Sequence, residues 1–203
     1  MTRLVRRAWF VLAIVCLSGT ACQLKRPDTI PVRMLEPQLL ELQPAAPTAA
    51  GATSGGAMPV RLLDTQARAH IGRRLLHQQA SGELTEDPVW RWSAAPDRYL
   101  DTAIRLELES SSRLRLVDTA GSPAIAATLL TWCLEPNENP RLMGAVQFVI
   151  TGKDGVVHSH VVQGSEPVSG GLPGDLAAVA GRLLRRLAQE GLMRQRASAF
   201  VPR

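Results

Sequence analysis

The stretch that decides the fold is Trp90-Arg91-Trp92-Ser93-Ala94-Ala95-Pro96-Asp97, followed by the helical row Leu100, Ala103, Ile104 and Leu108. Ser110-Ser111-Ser112 then leads into Leu114-Arg115-Leu116-Val117. A proline is well placed in a first helical turn, where its missing N–H had no partner. Asp97 and Asp101 fall near the positive end of the helix dipole. The serines stop the apolar row, and the alternation after them opens a strand. Trp90 and Trp92 share one face, with Arg91 on the other. Packing beneath the helix is the ordinary role for such indoles. The sharper one is contact with a partner or a neighbouring subunit, where tryptophan is favoured as an anchor.

Downstream, Ala124 to Glu135 and Arg141 to Thr151 form two strand-like runs joined by Pro136-Asn137-Glu138-Asn139-Pro140. That polar connector, bounded by proline at each end, is a turn. Asp154-Gly155 between alternating apolar runs predicts a hairpin returning Gln147–Ile150 into Val156–Val162. Leu176, Val179, Ala180, Leu183, Leu184 and Leu187 make one helical stripe from Asp175, with Gly191 as the expected C-terminal cap and a basic, fraying tail from Met193. Gly170-Gly171-Leu172-Pro173-Gly174 before it lacks the Lys-Ser/Thr pair of a phosphate loop and reads as a connection.

Upstream, Val60 to Asp64 is a strand. Ile71–Gln79 and Glu83–Trp92 form a hairpin about Ser81-Gly82. These elements predict an α+β domain of two layers, a mostly antiparallel sheet covered on one face by two helices. The absence of regular βαβα alternation argues against a doubly wound parallel sheet.

The N-terminal part is of another kind. Arg3, Arg6 and Arg7 precede an apolar run from Ala8 to Leu17, and Ser18-Gly19-Thr20-Ala21 leads to Cys22. The run is too short to span a bilayer and has the small-residue end of a secretory signal. Residues 1–21 therefore read as a lipoprotein signal peptide, with Cys22 as the lipidation site. Residues 22–57, rich in Pro, Ala and Gly, read as a linker with a reach of about 30–35 Å as a flexible coil. Within it, 34–42 is a candidate strand that Pro37 would confine to an edge. Residues 58–196 are the folded domain and 197–203 a basic tail.

The strand ending in Arg91-Trp92, the proline-bearing link, the leucine-spaced helix and the Ser-rich exit into a strand, together with the lipoprotein signal, resemble the auxiliary lipoproteins of ABC-type lipid transport systems. Those lipoproteins work beside mammalian-cell-entry (MCE) domain proteins in the paraquat-inducible and lipid-asymmetry systems. The resemblance covers roughly Val60 to Leu192. It implies a non-enzymatic auxiliary subunit, with an MCE-domain protein and an ABC permease and ATPase as partners. It also implies a membrane reached through a lipid anchor, phospholipid as a candidate ligand and a homo-oligomer as a candidate assembly. Gln23 after the cysteine, in place of the aspartate that retains lipoproteins in the inner membrane, favours the periplasmic face of the outer membrane.

Composition narrows the alternatives. The chain carries 23 basic and 18 acidic residues. Removing the three leader arginines leaves 20 against 18, a net +2 that gives nucleic acid little to bind. Once Cys16 and Cys22 are set aside, Cys133 is a single thiol that reads as a small buried hydrophobe. No nucleophile–base pair, zinc motif or dinucleotide fingerprint is present, so neither a catalytic residue nor a cofactor is expected. His158 and His160 lie on one strand face about 7 Å apart, and with Asp154 or Glu166 could grip a metal. Two solvent-facing histidines are the simpler reading, as they are for His70 and His77. A different class of function, a lipoprotein assisting assembly or secretion of an outer-membrane complex, fits the same architecture.

Overall fold

Alternation along three long strands decides which way the sheet faces. A computed structural model of the chain describes residues 30–39, 57–169 and 174–198, the last four without their side chains. The leader, Cys22, the loop 170–173 and the end of the tail lie outside the described residues. Contacts divide the chain into Met1–Pro31 and Val32–Arg203, and the second unit carries every element that follows. These are β1 (Arg33–Leu35), β2 (Met58–Leu62), β3 (Gln66–Ala67), β4 (Arg74–Gln78), β5 (Leu84–Trp92), α1 (Pro96–Ser110), β6 (Leu114–Leu116), β7 (Ala124–Glu135), β8 (Arg141–Thr151), β9 (Val157–Pro167) and α2 (Gly174–Ser198).

The spine is β7. Along one edge it pairs antiparallel with β8 over its whole length, and β8 pairs likewise with β9. Its other edge meets three short strands in parallel, β2 at Ala124–Ile125, β3 at Thr128–Leu129 and β4 at Leu134. Beyond β4 the sheet continues antiparallel to β5 and then parallel to β1, while β6 adds to β2. The long ladders are antiparallel, as the sequence predicts, and the short parallel pieces fill the second edge of β7. The turns at Ser81-Gly82 and Asp154-Gly155 also form as predicted, with Gly82 at φ 85° and Gly155 at φ 76°, backbone angles that favour glycine.

A bulge sets the inside of β7. Its register with β8 shifts between Leu129 and Thr131, so the inward set changes from Ile125, Ala127 and Leu129 to Trp132 and Leu134, all buried. An extra residue in one strand has this effect on a period-two pattern. Cys133 consequently lies on the opposite face from Trp132.

Both helices cover the inward face. The α1 row Leu100, Ala103, Ile104 and Leu108 is buried, and α1 packs on β7 and β6 and against α2. Its N-terminus has no capping side chain. The preceding turn is instead held by Tyr99, whose hydroxyl hydrogen-bonds Ser93 and accepts the Ala94 N–H. In α2 the predicted stripe is fully buried and lies on β8 and β9. Each such aliphatic side chain contributes about 1.5–3 kcal/mol by leaving water.

Three features differ from the reading of the sequence. Helix α2 does not stop at Gly191 but runs to Ser198. Gly191 is instead a contact glycine, because a Cβ there would overlap the ring of Phe148. Of the strand expected over 34–42, the structure shows the three-residue β1, which lies at the edge of the sheet and ends before Pro37, while 40–42 lie outside the described residues. Leu35 and Leu39 of the linker segment are core residues, and the Gln38 N–H donates to the Ala177 carbonyl of α2 at 3.2 Å. Finally, β9 runs on to Pro167, beyond the expected Val162.

Candidate functional site

The sheet face turned away from the helices carries a row of charged residues at its β1–β5–β4 end. Cross-strand pairing sets Met34 of β1 beside Arg91 of β5, and Arg91 beside Arg74 of β4, in one row. The next row sets Leu76 against Glu86. With Val32, His70, Gly72 and Arg73 they line a cleft of about 600 Å³, a volume in the range of ligand sites. Arg74 pairs with Glu86. Arg73 donates to the carbonyls of Trp92 at 3.2 Å and Ser93 at 2.7 Å, which fixes its guanidinium. The Arg91 Nε is buried without a hydrogen-bond partner.

The tryptophans expected as candidate partner contacts lie on the other face and are buried. Trp92 is 0% exposed and Trp90 9%. Trp92 meets Trp132 with ring centroids 5.8 Å apart and tilted by 53°, a geometry aromatic pairs favour. Trp90 is covered by Arg33, whose guanidinium carbon lies 5.4 Å from the ring centroid. The structure gives both indoles to the core, and the cleft belongs to Arg91 between them.

The histidines divide. His77, expected at the surface, is partly buried, and its Nε2 lies 2.8 Å from Asp87 Oδ2. The other Asp87 oxygen accepts the N–H groups of Val89 and Trp90, each at 2.8 Å. Burial pushes the Asp87 carboxyl up. The Trp90 N–H, His77 and the Val89 N–H together outweigh it, and the group titrates below its ordinary 3.8. A depressed carboxyl contributes stability that is present above the unfolded pKa and lost as pH falls through the folded one. Asp87→Asn is therefore expected to cost about 1.5–3 kcal/mol at neutral pH and to flatten the acid limb of a stability–pH curve below 3.8. Urea unfolding at a series of pH values reads both effects, and an unchanged acid limb would remove Asp87 from the account.

His160 does not point outward as expected. It stacks on Phe148 at 5.6 Å with an interplanar angle of 14°, and its Nε2 lies 3.1 Å from the Gly191 carbonyl. The two carboxylates considered as further metal ligands are used elsewhere. Asp154 accepts the Val156 N–H in the hairpin turn, and Glu166 pairs with Arg186 at 2.6 Å. Among the described residues no group of three His, Cys, Asp or Glu side chains is placed to hold a metal ion. Cys133 is 1% exposed, its Sγ lies 3.6 Å from Gln78 Oε1, and burial pushes its thiol pKa up.

Sequence alone does not single out Arg73, Arg74 and Glu86. Alternation gives the face of Arg91, but the partners that make the row depend on the β4–β5 register, which shifts between Arg74 and Leu76.

The fold thus defines a class: a two-layer α+β domain whose branched, mostly antiparallel sheet is covered on one face by two helices. Among solved structures it is similar to protein XCC0632 from Xanthomonas campestris, of the family DUF330. That match has a TM-score of 0.59 and 15% identity, over 81% of this chain and 91% of that one. It is also similar to an uncharacterized protein with TM-score 0.54 and 8% identity, over 70% and 94% of the two chains. A third likeness is to the hypothetical protein CT253 from Chlamydia trachomatis, with TM-score 0.52 and 16% identity over 68% and 95%. At these identities the likeness is one of fold. No protein-family model and no curated protein matches the sequence.

Proposed function

We propose that this chain is a lipid-anchored lipoprotein of the periplasmic face of the outer membrane. In this reading it serves as a non-enzymatic auxiliary subunit of an ABC/MCE-type phospholipid transport system and links that system to the outer membrane. The observation that carries the reading is how soon after Cys22 the chain is built into the domain. β1 is bonded to β5, Leu35 and Leu39 are core residues, and the Ser93 N–H donates to the Leu35 carbonyl at 2.8 Å. A load applied at Cys22 therefore enters the sheet and α2 directly, as a holding role needs.

The tether is correspondingly short. Ten residues, Gln23 to Val32, follow the cysteine, and a chain of that length spans at most about 33–36 Å when fully extended. Two or three acyl chains, at about 0.8 kcal/mol per buried methylene, hold a protein where one chain is marginal. The partner assignment follows the resemblance of the Arg91-Trp92 strand, the proline-opened helix and the Ser-rich exit to the auxiliary lipoproteins of those transporters.

The test is isolation of the tagged chain from crosslinked membranes. The MCE-domain protein and the ABC subunits are expected to accompany it, and mass spectrometry is expected to find an acylated Cys22. Cys22→Ser is expected to move most of the protein into the soluble fraction. Recovery of an outer-membrane assembly or secretion complex in place of the transporter would favour the other lipoprotein role. An unmodified, freely soluble parent chain would overturn both.

A further inference from the structure

We infer that the arginine cleft between β1, β5 and β4 is a binding site for the phosphate headgroup of an anionic phospholipid. Directly opposed like charges on neighbouring strands destabilise a sheet, yet Arg74 and Arg91 are direct cross-strand partners. Glu86 is the one carboxylate lining the cleft, and it engages Arg74. Three arginines against one glutamate leave two positive charges. One of them, on Arg91, has a buried Nε that no described residue satisfies. A guanidinium offers a planar set of donors matched to phosphate oxygens, and Arg–phosphate hydrogen bonds are short and strong. Arg73, held by two carbonyls, brings its charge to the cleft already oriented.

The apolar lining argues for a lipid over a free anion. Val32 is 48% exposed and Met34 50%, both lining the cleft beside the arginines. An inorganic phosphate leaves those side chains in water, whereas the glycerol and upper acyl carbons of a lipid cover them. Val32 also stands ten residues after Cys22 in the sequence. The source of the lipid rests on the anchored reading above. The charge and shape of the cleft do not. Glu86 then acts as the built-in competitor, since its carboxylate occupies Arg74 until a phosphate replaces it.

The test uses the mature chain from residue 22 carrying Cys22→Ser, which has neither the basic, apolar leader nor an acyl anchor. Its sedimentation is compared on vesicles of phosphatidylcholine alone and of phosphatidylcholine mixed with phosphatidylglycerol. Two uncompensated arginines predict a preference for the anionic vesicles on the order of ten- to thirty-fold at low salt. Arg74→Gln with Arg91→Gln is expected to remove most of that preference. Glu86→Gln is expected to raise it several-fold, a gain that a misfolded chain does not produce. An unchanged preference in the double arginine variant overturns the assignment. So does saturation by inorganic phosphate with equal binding to both vesicle types. An unmodified Cys22 in the mass spectrum leaves these vesicle results standing, so the two readings fail separately.

Discussion

Replacing Trp92 by alanine is expected to lower the unfolding free energy by about 3–5 kcal/mol, the cost of emptying a large aromatic site in a packed core. Trp92 is completely buried and stands where β5 hands the chain to α1, tilted against Trp132. Neither indole N–H has a hydrogen-bond partner, so the loss is one of packing. That distinction makes a second variant informative. Trp92→Phe keeps a ring against Trp132 and removes a buried, unsatisfied donor, which by itself costs about 1–3 kcal/mol. It should therefore cost far less than alanine. Urea unfolding of the two variants decides the matter. An alanine variant within about 1 kcal/mol of the parent, well below the usual cost of such a truncation, would show that the paired indoles are not the centre of the core.

Gly181→Ala is expected to act locally. A Cβ at this position would run into the carbonyl oxygen of Gln38, with the carbonyl carbon at 2.8 Å and the nitrogen at 3.2 Å. The obstacle is backbone, which cannot swing aside as a side chain can. The segment 32–39 must withdraw from α2, losing the Gln38-to-Ala177 hydrogen bond and the burial of Leu39 and Leu35. Burial of two leucines is worth several kcal/mol. The helix itself gains as much as about 1 kcal/mol from exchanging glycine for alanine. The expected result is at least about a ten-fold loss of hydrogen-exchange protection over residues 32–39, with β7, β8 and β9 little changed. Because Val32 and Met34 leave the cleft with the segment, the same variant should also bind anionic vesicles less well. A uniform loss of protection would mean instead that α2 has moved off the sheet.

How much of this was legible in the sequence depends on how far apart the deciding residues lie. β7, β8 and β9 declare themselves because alternation and the Asp154-Gly155 turn are local signals. α1 does so through Pro96, Asp97 and its leucine row. β1 and β3 span three and two residues, too few for any period, and they are strands because β5 and β7 offer an open edge. Gly191 looks like a stop signal until Phe148, more than forty residues earlier in the chain, is seen against it. The bulge in β7 explains why Trp132 faces the helices and Cys133, also buried, the opposite side of the sheet, and nothing in Thr128-Leu129-Leu130-Thr131 announces it. The cleft follows the same rule. Trp90-Arg91-Trp92 shows which way Arg91 points, but Arg74 and Met34 reach it through pairings across three strands. His77 and His160 depart from the expected surface placement for a like reason, since Asp87 and Phe148 come from neighbouring strands.

One feature of the sheet bears on how the chain is completed. β1, β5 and β4 form one piece and β2 with β6 another, and both join the rest through β7. A polypeptide that emerges from the ribosome with its N-terminus leading therefore exposes two separate fragments of sheet. Each has bare strand edges able to pair with whatever lies near. The segment Ala124–Glu135 is the late-arriving keystone, and truncation before it leaves β2 and β4 without the strand that pairs with both.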